Sequence, residues 1–245
     1  MYNIGDLVTR KSYDNDVVFK IVDIVEDNYI LKGLSIRLYA DSYEEDLKLV
    51  SGEVKSDFDP ELVGYRTLDR NEYFYLPGKV LHIDGDNDYL KKCMDFYEKN
   101  KIKAYGVYLN EEDFASNILS LLEKYKPDIL VLTGHDAYYR KKRNNVNYKN
   151  TSNFVDAVRE ARKYEKSQEK LIVISGACQS NYEELIKAGS NFASSPKKVN
   201  IHALDPAIVA SLVALLVVFP LTASVVSVTS YSTFSGKVIP RISPS

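Results

Sequence analysis

Two reactive side chains stand at matching places in this chain. His135 closes the segment "DILVLTGHDA" and Cys178 closes "LIVISGACQS". Each segment is a short run of Ile, Leu and Val that ends in small residues and then one side chain able to do chemistry. An imidazole that can take a proton beside a thiol that can attack is the pair a cysteine nucleophile requires. Cys178 reads as lying between a strand end and a helix start, where unpaired N–H groups favour a thiolate and can hold an oxyanion. An isolated cysteine there would read as a buried packing residue. Its match with His135, whose plainer reading is a capping loop residue, turns the balance toward a dyad.

A second constellation is "HIDGDND", with Asp84, Asp86 and Asp88. An Asp-x-Asp at a strand end suits a magnesium-dependent phosphatase or phosphotransferase, with Asp84 as nucleophile and Asp86 as its acid partner. The haloacid dehalogenase pattern has Thr or Val where Asp88 stands. The plainer reading is a turn with a helix N-cap. Asp84 and Asp205 are also candidates for binding a basic substrate side chain. His82 sits within an apolar strand and His202 alternates with Ile201 and Ala203, so both read as structural. Cys93 falls on the apolar face of a helix. With so few ligands a zinc site is not expected, and no cofactor is implied. Arg140, Lys141, Lys142 and Arg143 form a basic run read as a loop, either solvated, a cut site for self-processing, or a contact for an acidic partner.

These residues need elements to hold them. From Gly78 onward apolar runs alternate with helical patterns. "KVLHID", "AYGVYL", "DILVLT" and "LIVISG" read as strands. Tyr89, Leu90, Cys93, Phe96 and Tyr97 make one helical face, Phe114, Ile118, Leu121, Leu122 and Tyr125 a second, and Phe154, Val155, Val158 and Ala161 a third. A further helix holds Tyr182, Leu185 and Ile186 and stops at Gly189. "NFASSP" and "VNIHAL" can add strands. This alternation predicts an α/β parallel sheet flanked by helices, with His135 and Cys178 at its carboxyl edge, where functional groups collect in open parallel sheets.

Residues 1–50 differ. Five short alternating strands separated by turn residues predict a small SH3-like β-barrel, read as a docking or positioning module. Residues 51–77 carry six acids against three bases and read as a linker. The α/β domain is expected over 78–206, and 207–245 form an apolar tail. Ala207 to Val228 is almost wholly apolar or small, broken by Pro220, and its length suits either a bilayer span or a buried core element. No basic cluster flanks its start, which argues against an oriented membrane helix.

The 245 residues suffice for one large domain or a small and a medium one. A formal charge of −2 gives no electrostatic instruction toward nucleic acid. Two cysteines are too few for a disulfide framework and fit an intracellular setting, and no secretory signal opens the chain.

The strings "LPGKVLHIDGDNDYLKKC", "YKPDILVLTGHDAY", "GACQSNYEELIKAGSNFASSP" and "VNIHALDP", with the opening "YNIGDLVTRKSYDNDVVFKI", resemble the YabG family of sporulation-specific proteases. The likeness covers about 1–50 and 74–206. It implies a cysteine peptidase in the mother cell of an endospore-forming bacterium, cytoplasmic or associated with the spore coat, that processes coat or cortex-associated proteins. The arrangement also resembles the caspase–gingipain–clostripain type, which implies a caspase-like sheet and His135 and Cys178 as a dyad. Those relatives have Gly after the His, where Asp136 stands here. From about Val209 the chain departs from the family pattern and reads as an altered reading frame or a replaced C-terminus, which implies impaired activity if sheet strands or a specificity loop belong there. A non-enzymatic coat-assembly scaffold is the alternative outside enzymes.

Overall fold

The computed structural model describes residues 1–51, 54, 78–136, 138–143, 146–194, 201–216 and 234–236. The linker expected over 51–77 therefore lies almost wholly outside the described residues, as does most of the tail beyond residue 216.

The N-terminal unit is an antiparallel sheet of β1 (Leu7–Arg10), β2 (Phe19–Val25), β3 (Asn28–Gly33), β4 (Tyr39–Tyr43) and β5 (Leu47–Leu49), in the order β4-β3-β2-β1-β5. The first four strands form a meander, and β5 returns to pair with β1. Alternation along β3 turns Tyr29 and Leu31 inward, where they meet Val8, Val17, Phe19, Ile21 and Leu47.

The second unit opens with β6 (Val80–Asp84), α1 (Asn87–Lys99), β7 (Ala104–Tyr108), α2 (Phe114–Tyr125) and β8 (Ile129–Thr133). A hairpin of β9 (Tyr138–Arg143) and β10 (Val146–Tyr148) follows. The chain continues through α3 (Thr151–Tyr164), β11 (Ile172–Ser175), α4 (Tyr182–Ala188), β12 (Phe192–Ser194), α5 (Asp205–Leu216) and β13 (Phe234–Gly236). The basic run Arg140–Arg143, read from the sequence as a loop, is thus part of a β-strand, paired where extended backbone could find a partner in β10.

The main sheet has the order β13-β12-β11-β8-β6-β7, with β7, β6, β8, β11 and β12 parallel and β13 antiparallel at the edge. The fold is α/β. Because successive strand residues face opposite ways, each central strand feeds two cores, which is why these strands are apolar throughout. Val80, Ile129, Val131, Ile172 and Ile174 meet α1 and α5 on one face. Leu81, Ile83, Leu130, Leu132 and Val173 meet α2, α3 and α4 on the other. Ala207, Val209, Ala210, Val213 and Ala214 are buried in the first of these cores. Sequence composition separates residues 207 onward from the sheet, but α5 begins at Asp205 and its small apolar side chains let it lie close against the strands. Among the described residues no helix is long and apolar enough to cross a membrane.

Helix boundaries follow local chemistry. Asp86 caps α1 by accepting the N–H groups of Asp88 and Tyr89. Lys126, in left-handed conformation before Pro127, ends α2, and Gly189 ends α4 in the same way.

Candidate active site

The strand order reverses between β6 and β8, the switch point at whose carboxyl side an open α/β sheet forms its crevice. His135 lies two residues past the end of β8, and Cys178 three past the end of β11. These strands are neighbours, with Leu132 opposite Ser175. The pairing continues one residue further, since the Gly176 N–H donates to the Leu132 carbonyl at 3.0 Å.

The two loops are tied together by a residue that the sequence reading treated only as a departure from a pattern. Asp136 is buried and accepts hydrogen bonds from the Asn150 N–H (2.8 Å), the Ser180 hydroxyl (2.8 Å) and the Thr151 hydroxyl. The Ser180 oxygen accepts the Ala177 N–H at 3.0 Å. One carboxylate therefore fixes the His135 loop, the start of α3 and the Cys178 turn. A glycine in its place would leave all three donors without this partner.

Carboxylates and aromatic rings bracket the His135 ring. Glu111 Oε1 accepts the His135 backbone N–H at 2.7 Å and stands 3.7 Å from Nδ1. Asp86 Oδ2 lies 3.4 Å from Nε2, which makes no hydrogen bond. The Tyr39 ring meets the imidazole edge-on at 4.6 Å, and the Tyr89 ring lies at 5.9 Å. Burial acts to raise the Glu111 pKa, but its hydrogen bonds with His135 outweigh that and hold it below the usual carboxylate range. Gly85 and Gly134 make room for this carboxylate. A Cβ on either would stand 2.2 Å or 2.5 Å from Glu111 Oε1. The backbone N–H of His135 is committed to Glu111 and is not available to an oxyanion.

Cys178 is buried, and its Sγ accepts the Ile201 N–H at 3.1 Å. Burial pushes the thiol up to about 11, with the Ile201 hydrogen bond acting the other way. Cys178 lies between the end of β11 and the start of α4, as the sequence indicates, but the expected thiolate-favouring helix N-terminus is not next to it. Residues 179–181 intervene, Asn181 is the N-cap, and α4 has only seven residues.

The acids of "HIDGDND" have other work. Asp84 is fully buried and pairs with Arg37, at 3.1 Å and 2.8 Å. It also accepts the Thr133 hydroxyl and the Asp86 N–H. Burial would raise its pKa, but the Arg37 guanidinium and its hydrogen bonds hold it well below the usual range. His82 lies between Tyr97 and Thr133, 3.0 Å from each oxygen, and burial keeps its pKa low. Both features make Asp84 a structural anion rather than a group facing substrate. Asp86 caps α1 and takes Lys32 at 2.7 Å, shared with Asp88 at 2.7 Å. Asp205 is also buried and accepts the His202 N–H at 3.0 Å at the start of α5. Cys93 packs on α1, and burial pushes its thiol up to about 12. Among the described residues no group of three or more His, Cys, Asp or Glu side chains is arranged to hold a metal ion.

Lys32, Arg37 and Tyr39 come from the N-terminal unit, which sits against this crevice. Arg37 is buried, its N–H donates to the Ile201 carbonyl at 2.8 Å, and its guanidinium reaches the Ala203 carbonyl at 3.1 Å. The Tyr89 hydroxyl donates to the Gly33 carbonyl at 2.7 Å. Sequence reasoning missed Glu111, Arg37, Tyr39 and Lys32. Arg37 alone carried a signal, as a cation between the apolar residues Ile36 and Leu38.

The site is thus that of an α/β protein carrying a histidine and a cysteine on adjoining strand ends, walled on one side by a β unit. A family described as YabG peptidase U57 matches residues 3–67 and 61–236. The sporulation-specific protease YabG of Bacillus subtilis (strain 168) is 42% identical over 238 residues, covering 84% of this chain and 82% of that protein. The chain belongs to the YabG peptidase U57 family and is a sporulation peptidase. The family match runs past residue 206, where the resemblance drawn from the sequence ended, and takes in α5 and β13. A GDP-L-fucose synthetase from Naegleria fowleri aligns over 58% of this chain and 43% of its own at 15% identity, with a TM-score of 0.27, too low to carry an argument.

Proposed function

We propose that this peptidase is a cysteine endopeptidase that works through His135 and Cys178. The observation that carries the reading is the placement of both residues beyond adjacent, in-register strand ends, with Asp136 bonded to Ser180 across the two loops. Burial pushes the Cys178 thiol up to about 11, so it rests protonated at neutral pH. Attack therefore coincides with proton transfer. The Cys178 proton passes to His135 as sulfur adds to the scissile carbonyl carbon, and backbone N–H groups of the Cys178 turn hold the oxyanion. Collapse breaks the C–N bond, and the amine leaves with the proton from His135. Water then hydrolyses the thioester and restores the thiol. Glu111 positions His135 throughout, and neither a metal nor an organic cofactor takes part. The substrates are spore coat or cortex-associated proteins, met in the mother cell or at the coat.

Phosphotransfer through Asp84 and Asp86 is disfavoured by the Arg37 ion pair, which occupies both Asp84 oxygens. The deciding experiment is labelling with a peptidyl acyloxymethyl ketone. Wild type is expected to be modified at Cys178, with labelling abolished in Cys178→Ala and sharply slowed in folded His135→Ala. Full proteolysis by Cys178→Ala would overturn the assignment.

A further inference from the structure

A cleft of about 440 Å³ lies between the N-terminal unit and the Cys178 turn. Phe19 and Leu38 line it, with Tyr13, Asp16 and Asp41 toward the open side. Its two remaining features tie it to the dyad. Tyr39 lines the cleft and touches the His135 ring at 4.6 Å, and Gln179, the residue after Cys178, lines it too. The cleft therefore borders the His135 ring through Tyr39 and the Cys178 turn through Gln179.

Three further observations indicate what it takes. Within its sheet β4 pairs with β3 alone, so its second backbone edge is unpaired among the described strands. Such an edge accepts an extended polypeptide through main-chain hydrogen bonds. Tyr13, Tyr39 and Tyr43 are about half exposed, an aromatic surface of the kind that marks an interaction site. Arg10, the cation in the cleft, is already engaged by Asp46 at 3.3 Å and by the Tyr13 ring at 4.3 Å. Asp16 and Asp41 make no ion pair among the described residues, which leaves the open side net negative.

We propose that this cleft is a substrate-docking site outside the dyad, and that the polypeptide flanking the scissile bond lies extended along β4. An aromatic or large aliphatic side chain of the substrate enters between Phe19 and Leu38, and a basic side chain faces Asp16 and Asp41. The N-terminal unit is in this way part of the peptidase's recognition surface. The proposal rests on the His135–Cys178 reading.

The test compares the full chain with Tyr13→Ala and Asp41→Lys, both at exposed positions. Two probes are used: β-casein as an extended substrate, and a dipeptidyl acyloxymethyl ketone too short to reach the cleft. The expected result is that each variant cleaves casein with kcat/KM lower by about tenfold or more, mainly through KM, while the labelling rate of Cys178 stays within about twofold of wild type. Casein cleavage within about twofold of wild type in both variants overturns the proposal, as does an equal loss of labelling and cleavage, which would place these residues in the chemistry instead. Absence of labelling at Cys178 in wild type, or casein cleavage by Cys178→Ala, overturns the dyad reading itself.

Discussion

Arg37→Leu is expected to be the most damaging single change in the N-terminal unit, and its cost can be worked from the contacts. The guanidinium and the Asp84 carboxylate are both fully buried and bonded through two oxygens. Removing the cation leaves Asp84 with the Thr133 hydroxyl, the Asp86 N–H and the more distant His82 Nε2 at 3.5 Å, none of them a fixed charge. It also deprives the Ala203 carbonyl of its guanidinium donor. Breaking a buried pair from one side costs about 3–5 kcal/mol. For a chain of this size that lowers the Tm by roughly 6–20 °C. The chain has 19 tyrosines and no tryptophan, so tyrosine fluorescence and circular dichroism follow the transition.

The pH dependence has a definite sign. Asp84 is depressed in the folded protein, so its contribution is present above the unfolded carboxylate value, about 3.9, and is lost as pH falls through the folded one. In Arg37→Leu the buried carboxyl is left without its cation, and its pKa rises instead. The variant therefore gains stability on acidification toward about pH 4, and the gap from wild type narrows. The double variant Arg37→Leu/Asp84→Asn removes both charges and is expected to recover most of the loss. A single-variant cost below about 1 kcal/mol, or a double variant no better than the single, would refute a strong buried pair.

Two further outcomes follow from the same geometry. Gly134→Ala brings a Cβ to 2.5 Å from Glu111 Oε1 and must displace the carboxylate that holds His135. The expected loss is about tenfold or more in kcat with KM nearly constant, and unchanged kcat would remove Glu111 from its positioning role. Burial pushes the Cys93 and Cys178 thiols up to about 12 and about 11, above the unfolded thiol value of about 8.5. Their contribution is full below that unfolded value and is lost as pH rises through the folded ones, so stability falls from about pH 9 upward. Cys93→Ala should flatten that decline, and identical alkaline curves for the two proteins would exclude its thiol as a cause.

The N-terminal unit changes how the crevice should be understood. Lys32 occupies Asp86 and Asp88, and Tyr39 borders His135, so part of the wall beside His135 comes from more than forty residues upstream in the chain. A peptidase domain cut at Gly78 would lose that wall and expose Asp84 as an unpaired buried anion. Family membership spans both units, as the match from residue 3 to residue 236 shows.

The sequence by itself determined the local elements and the places of His135 and Cys178 at strand ends. Apolar runs such as "DILVLT" and "LIVISG" are short, rich in β-branched residues and bounded by Pro or Gly, which marks them as buried strands, and helical spacing fixed the buried faces of α1, α2 and α3. Those patterns are written in neighbouring residues, as are the Asp86 cap, the Gly189 stop and the packing of His82 and Cys93. The strings that resemble the YabG family carried identity in the same local way. Only the tertiary structure decided which strand ends meet, because hydrogen-bond pairing between strands leaves no mark on periodicity. Glu111 lies 24 residues from His135 among Glu112 and Asp113, and nothing local distinguishes it from a solvated acid. Arg37 finds Asp84 across 47 residues. The Cys178 pKa was misjudged from a nearby helix start, since desolvation by elements distant in sequence outweighs a helix terminus that begins four residues away. The place of α5 was likewise decided by the sheet: an almost wholly apolar helix suits lipid or a core equally, and the strands supplied the core.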